Sequence, residues 1–384
     1  MKFTCTQENL NQGLSLTSHI AAKNTTLPIL NNVLIKSEKG VITLTTTNLE
    51  LGVSCQIRGK IDTEGAFTVQ SKLLSDFVNL ISTDMVDVAV EDETVLISSE
   101  KSNTSIKGSP ADEFPLIPDV DGSEPFSCDA TDLQKALAQV LFATSNSETR
   151  PEISGVYMKF ENGSLILAAT DSYRLAEKAI KCSGTEPKEV IIPNRALAEL
   201  QRILGALNTT PEVGDTSDEK NTINIFFQDN QVKFGYKNAT LVSRLIEGTY
   251  PAYNQIIPKE YNTKAVINVS DFTKAVKTAS LFSRLGVFDV ELKLTKGKVI
   301  VIGNNAQLGQ STIEIEADVE GSDNSILLNH RFLNDGLSNL NSTVVVFEMK
   351  DESSPSVLRP AERLEEKQIV ARQDYMYIVM PIKQ

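Results

Sequence analysis

The stretch ATDSYRLA from Ala169 to Ala176 holds the side chains best suited to chemistry: Asp171 and Arg174 could pair, and Ser172 could act as a nucleophile. A nucleophilic serine needs a base, and the two histidines, His19 and His330, are both remote from it in sequence. Neither a GxGxxG nor a GxxxxGK[ST] phosphate loop occurs. Cys5, Cys55, Cys128 and Cys182 are widely spaced and form no CxxC, which argues against a zinc ribbon and against a disulfide framework. With two histidines in the chain, a His-rich metal centre is excluded as well. The expectation is no catalytic residue, no metal and no cofactor. An enzyme built on Asp171, Ser172 and Arg174 is the weaker alternative.

What remains is charge and apolar contact. Lys and Arg number 37 against 50 Asp and Glu, a net charge of −13, so whole-surface attraction to nucleic acid is not expected, although a local basic stripe is compatible with it. Hydrophobic residues make up 41%, too many for a disordered chain. The opening MKFTCTQENL has no apolar signal-peptide core, and no run reaches the ~18 apolar residues of a membrane span, so a cytoplasmic protein without membrane association is expected. The apolar run YIVMPI near the C-terminus, taken alone, reads as a core strand.

The elements that would position these groups repeat along the chain. Leu10, Gly13, Leu14 and Thr17 recur as Leu133, Ala136, Leu137 and Val140, and again as Phe272, Ala275, Val276 and Ala279. The i, i+3, i+4, i+7 spacing is one face of an amphipathic helix. A second helix recurs from Ser71, Asn194 and Asn329, each expected to be an N-cap, with Leu74, Leu197 and Leu333 equivalent, and Ile81, Leu204 and Leu340 likewise. Between the helices, alternating strands flank turns containing Gly40, Gly163 and Gly297, where a positive φ is expected. At ~100–200 residues per domain, 384 residues allow two to four domains. The repeat selects three α+β units, each with two helices and roughly eight short antiparallel strands, over 1–122, 123–260 and 261–384. The polar inserts at 208–221 and 350–372 are expected to be surface loops.

Three such units in tandem can form an arc, and two arcs can close into a ring with helices inside. The helices and their exits carry Lys72, Lys135, Arg195, Arg202, Lys274, Lys277, Arg284 and Arg331, which would make that lining mildly basic. A repeat scaffold that binds peptides without encircling DNA fits the helix pattern equally well.

In this setting the chain resembles the bacterial sliding clamp family, the beta subunit of the replicative DNA polymerase. The likeness runs the length of the chain through MKFT, TLPIL, TNLEL, FPLIP, ATDSYRLA, IIPNRALAEL, LIEGTYPAYNQIIP and the terminal YIVMPIK. It implies a head-to-tail homodimeric ring of α+β clamp domains that slides on double-stranded DNA without reading its sequence. It also implies a non-enzymatic processivity factor placed by an ATP-driven clamp loader. The replicative polymerase catalytic subunit, repair polymerases and mismatch-repair proteins would dock peptides into one hydrophobic pocket. Carried over to this sequence, the pocket is Ile153, Thr170, Ser172, Tyr173, Arg174, Leu175, Pro251, Ile256, Ile378, Val379, Met380, Pro381 and Ile382. Lys23 joins the helix cations as a DNA-lining residue. Thr104 and Ile106 on the strand NTSIKG, facing Leu281 and Phe282, are the expected dimer interface.

Overall fold

The computed structural model describes residues 1–21, 27–118, 120, 124–147, 149–184, 186–208, 221–363 and 369–383. Among the described residues, six α-helices match the anticipated two per repeat: α1 (Gln7–Thr17), α2 (Ser71–Leu80), α3 (Ala130–Val140), α4 (Asn194–Asn208), α5 (Val269–Ser280) and α6 (His330–Ser338). Their buried stripes follow the sequence period. Leu10, Gly13, Leu14 and Thr17 are buried on α1, and Phe272, Ala275, Val276 and Ala279 on α5. Gly13 lets α1 lie directly on its sheet, because a Cβ there would meet Ile57 Cγ2 at 2.6 Å. Gly40, Gly163 and Gly297 have φ of 80°, 75° and 83°, as the turns required.

Capping departs from expectation. Asn329 caps α6 by accepting from the Arg331 N–H. Ser71 is instead the first helical residue, its Oγ buried without a partner, and the Asn194 amide donates to Thr144 Oγ1. Thr6 and Asn268 cap α1 and α5.

The described chain forms two compact bodies, each combining one outer repeat with part of the middle one. The first holds Met1–Gln134, Cys182–Thr185 and Arg195–Leu245; the second holds Lys135–Lys181, Glu186–Asn194 and Ile246–Gln384. Each contains an antiparallel 13-stranded sheet. The reason is strand pairing between repeats. In the first body the strand Leu51–Ile57 pairs with Ala239–Arg244, the last strand of the middle repeat, with Leu51 opposite Ser243. In the second, Arg174–Lys181 pairs with Tyr375–Val379, the last strand of the third repeat, with Arg174 opposite Val379.

One expected loop is a strand. Ser356–Arg363 lies between Val344–Met349 and Tyr375–Val379, with Ser356, Val357, Leu358, Pro360 and Ala361 buried, and Ile369–Ala371 pairs along its end. Arg359 and Glu348 on adjacent strands pair at 3.6 Å, so charges that looked solvated are matched across the sheet. Residues 209–220 and 364–368, within the two inserts, lie outside the described residues.

Candidate functional site

All the anticipated pocket residues fall in the second body. They centre on a turn closed by its own side chains. Thr170 Oγ1 donates to the Arg174 carbonyl (2.6 Å) and accepts from the Ser172 N–H (3.1 Å), while Asp171 Oδ1 accepts from the Tyr173 and Arg174 N–H groups (2.9 and 3.0 Å). These bonds hold Ser172 at φ 80°, an uncommon conformation for a residue with a Cβ, and push Tyr173 outward to 65% exposure. The first repeat builds the same turn. Thr47 Oγ1 donates to the Leu51 carbonyl, Asn48 Oδ1 accepts from the Glu50 and Leu51 N–H groups, and Leu49 sits at φ 77°. A groove of about 240 Å³ lies beside that turn, lined in part by Leu49, Leu116, Val242 and Arg244.

Arg174 is the anchor of the second-body turn. Its Nε donates to Asp171 Oδ2 (3.0 Å), one terminal nitrogen to Asp335 Oδ2 (2.5 Å) and the other to the Phe142 carbonyl (2.8 Å). Its guanidinium carbon lies 4.7 Å from the Phe332 ring centre. Tyr173 stacks on the same Phe332 at 6.3 Å. Phe332 and Asp335 sit three residues apart on α6, a spacing that puts them on one side of the helix. The helix is seated by Gly336, whose missing Cβ leaves room for the Tyr377 ring, and by the Tyr377 hydroxyl donating to the Phe332 carbonyl (2.8 Å). Arg174 is thus a fully engaged structural cation, and Arg150 reaches the turn by donating to Ser172 Oγ (2.8 Å).

The C-terminal segment joins this turn. Leu175 faces Ile378 in the ladder, the Met380 N–H donates to the Tyr173 carbonyl (2.9 Å), and the Ile382 N–H donates to the Leu327 carbonyl (2.8 Å). The anticipated pocket divides into floor and surface. Ile153, Leu175 and Ile378 are buried in one cluster with Tyr250 and Tyr253, and Thr170 and Val379 are also buried, so none of these five offers a free face. Met380, Pro381, Ile382 and Pro251 are partly exposed, and Ser172, Tyr173 and Ile256 are exposed.

The cations divide as well. Lys72, Lys135, Arg195, Lys274, Lys277 and Arg331 are exposed. Arg202 is turned onto its own body, donating to Glu199 and to the Ser15 and Leu16 carbonyls, because buried Glu199 needs a cation; His19 meets the same carboxylate at 2.8 Å. Arg284 pairs with Asp289 at 2.5 Å. Lys23 lies outside the described residues.

The anticipated interface needs one correction. Ile106 is 5% exposed and packs into its own body, because the inward-facing positions of its strand are core; Thr104 is half-buried. Leu281 (71% exposed), half-buried Phe282 and Leu285 (90%), which the sequence reading missed, carry the apolar surface. The edges are informative. Asn103–Lys107 is bonded to Thr94–Ser98 on one side, and its other side has no strand neighbour among the described residues. The same holds for the first half of Gly309–Gly321, bonded through Glu316 to Lys298–Asn305 on one side.

Comparison with known proteins decides the family. Residues 1–118, 128–252 and 254–374 match the N-terminal, central and C-terminal domains of the DNA polymerase III beta subunit. The beta sliding clamps of Staphylococcus epidermidis and Synechococcus elongatus are each 31% identical to this chain, over 94% and 100% of it and 96% and 99% of their own lengths. The chain belongs to the beta sliding clamp family. Its function is that of a DNA polymerase processivity clamp.

Solved clamps share the fold. The Bacillus subtilis sliding clamp superposes with a TM-score of 0.88 at 25% identity, covering 100% of this chain and 99% of that one. A Pseudomonas aeruginosa clamp bound to griselimycin gives 0.90 at 24%, covering 100% of both. For a clamp, the residues missed by sequence reasoning are Phe142, Phe332, Asp335 and Leu327, which frame the turn and the C-terminal segment. Phe332 and Asp335 sit off the Leu333–Leu337 face of α6, and that apolar–acid pair at i, i+3 was the available signal. None of the described helices is long and apolar enough to cross a membrane.

Proposed function

We propose that two copies of this chain close head to tail into a ring around double-stranded DNA. The observation that carries the reading is the pair of open edges. Within the chain, Leu51–Cys55 pairs with the last strand of the middle repeat and Arg174–Lys178 with the last strand of the third. The third strand of that kind, at Gly309, and the last strand of the first repeat, at Asn103–Lys107, each keep one side without a strand partner among the described residues. An unpaired edge favours strand addition, and joining one edge of each kind repeats the two junctions already made. A head-to-tail dimer satisfies all four edges with two equal seams, flanked by Leu281, Phe282 and Leu285. Sedimentation should give twice 42.1 kDa; a monomer at micromolar concentration contradicts the reading.

The three clamp domains are assigned to 1–122, 123–260 and 261–384. Lys72, Lys135, Arg195, Lys274, Lys277 and Arg331 are the phosphate contacts. They read no base, so binding by unloaded protein is weak and salt-sensitive. Arg202 and Arg284, held by Glu199 and Asp289, are removed from that set. The partner pocket is the surface of Tyr173, Pro251, Ile256, Met380, Pro381 and Ile382 over the buried floor. Flexible Met and rigid Pro suit apolar peptide anchors from several partners. Those partners are the replicative polymerase catalytic subunit, the ATP-driven loader, repair polymerases and mismatch-repair proteins. The protein is a cytoplasmic, cofactor-free scaffold that catalyses nothing itself.

A further inference from the structure

The four cysteines are buried and unpaired, yet they are not alike. Cys5 and Cys55 are pushed up to about 12, by burial together with Asp87 for Cys5 and by burial alone for Cys55. Cys128 and Cys182 face each other. Ser127 and Ser183, beside them, exchange both backbone N–H···O bonds, at 2.9 and 2.8 Å, as an antiparallel hydrogen-bonded pair. The next pair outward in such a ladder is the non-hydrogen-bonded one, where Cα atoms stand about 4.5 Å apart, within the span a disulfide bridges. That pair is Cys128 and Cys182, close enough that each sulfur shifts the pKa of the other, while the Cys182 Sγ lies 3.6 Å from the Ser183 carbonyl oxygen.

We infer that Cys128 and Cys182 form a redox modification site, a dithiol that closes to a reversible intramolecular disulfide on exposure to a small disulfide oxidant such as oxidised glutathione. The roles of the two sulfurs follow from their surroundings. The neighbouring Cys128 and the Ser127 backbone, against the opposing effect of burial, hold Cys182 below the usual thiol range. Cys128 is held well above it by its interaction with Cys182, by burial and by the charges of Asp129 and Asp132. Cys182 is therefore the attacking thiolate. It displaces one glutathione thiolate and carries the other half as a mixed disulfide. Cys128 then loses its proton and attacks Cys182 Sγ, expelling the second glutathione. Two protein thiols are oxidised, one glutathione disulfide is reduced to two glutathiones, and the two protons go to the leaving thiolates.

Access does not require unfolding of the body. Phe126–Asp129 is the terminal strand of its sheet and only four residues long, and its outer side is bonded to Ser183. Short terminal strands open locally at low cost. Once closed, the bond ties that strand to residue 182 and suppresses the opening.

The test exposes the full-length folded protein to glutathione buffers from reducing to oxidising, blocks free thiols and maps the digest by mass spectrometry. The expected result is one linked peptide pair, 128 with 182, that dithiothreitol removes, with Cys5 and Cys55 alkylated throughout and slower amide exchange at 126–129 in the oxidised form. In Cys128→Ser, Cys182 should accumulate glutathione; in Cys182→Ser, Cys128 should stay unmodified. Cys128 and Cys182 both alkylated in the most oxidising buffer, Cys182 held as the glutathione adduct without a link, or a link to Cys5 or Cys55, would each overturn the proposal.

Discussion

Arg174 concentrates the residue-scale chemistry of the proposed pocket. One guanidinium satisfies two carboxylates and a carbonyl and lies over an aromatic ring. A lysine at this position would offer a point charge where a planar fork is used. Arg174→Ala should lower stability by roughly 2–4 kcal/mol, since it removes charge-assisted bonds and leaves Asp171 and Asp335 facing each other. Arg174→Lys should recover less than half of that loss. Urea denaturation measures both. A variant as stable as the parent would mean that the turn is held by Thr170 and Asp171 alone. A second residue-scale prediction concerns acid. Partial burial would raise Asp374, but hydrogen bonds and charge from Arg372 and Lys178 outweigh it and hold the carboxyl at about 2. A folded value below the ordinary 3.8 means that its contribution is present above pH ~4 and is lost as pH falls toward 2. Asp374→Asn should therefore melt lower than the parent at neutral pH and converge with it near pH 2; a constant gap across that range would contradict the assignment. At this scale the sequence announced Asp171 and Arg174 as a pair. It could not announce Asp335, which is 161 residues from Arg174 and meets it through tertiary packing alone.

Among elements, the helices were legible because their stripes obey one period, and the structure buries the very residues that period selected. Ser356–Arg363 was not legible. A proline and alternating charges mark a loop in isolation, and only the neighbouring strands, with Glu348 diagonal to Arg359 and pairing with it, show why they are tolerated inside a sheet. The strand Asn103–Pro110 has the reverse problem: the resemblance marked it as a strand, but which of its residues face the core was not legible. That distinction gives a paired prediction. Ile106→Ala should cost about 2–5 kcal/mol of fold stability, as expected for a buried isoleucine. Leu281→Glu with Leu285→Glu should leave the fold intact and yield monomers by sedimentation, because charge would be desolvated at the seam. A stable dimer in that double variant would move the seam elsewhere. The C-terminal element is tested separately. Removing Met380–Gln384 leaves the strand Tyr375–Val379 and its ladder in place, so a folded protein is expected, with affinity for a polymerase-derived hydrophobic peptide reduced by ~2 kcal/mol or more in calorimetry. Undiminished binding would place the pocket away from this segment.

For the whole molecule, three repeats were readable from helix and turn periodicity, whereas two compact bodies were not, since they arise where the last strand of one repeat completes the sheet of another. That same device, used twice within the chain and left open at Asn103–Lys107 and at Gly309, underlies the proposed ring. Ring closure converts weak phosphate contacts into lasting association without sequence readout, because escape then requires an end or an opened seam. The most direct measurement is retention on DNA of different topology. The protein is placed on a nicked circular duplex by its clamp loader and ATP, the complex is isolated by gel filtration in moderate salt, and the circle is then cut once. The account predicts that the protein stays with the circle and is lost from the linear product. Equal retention on both forms, or equal loss from both, would contradict it.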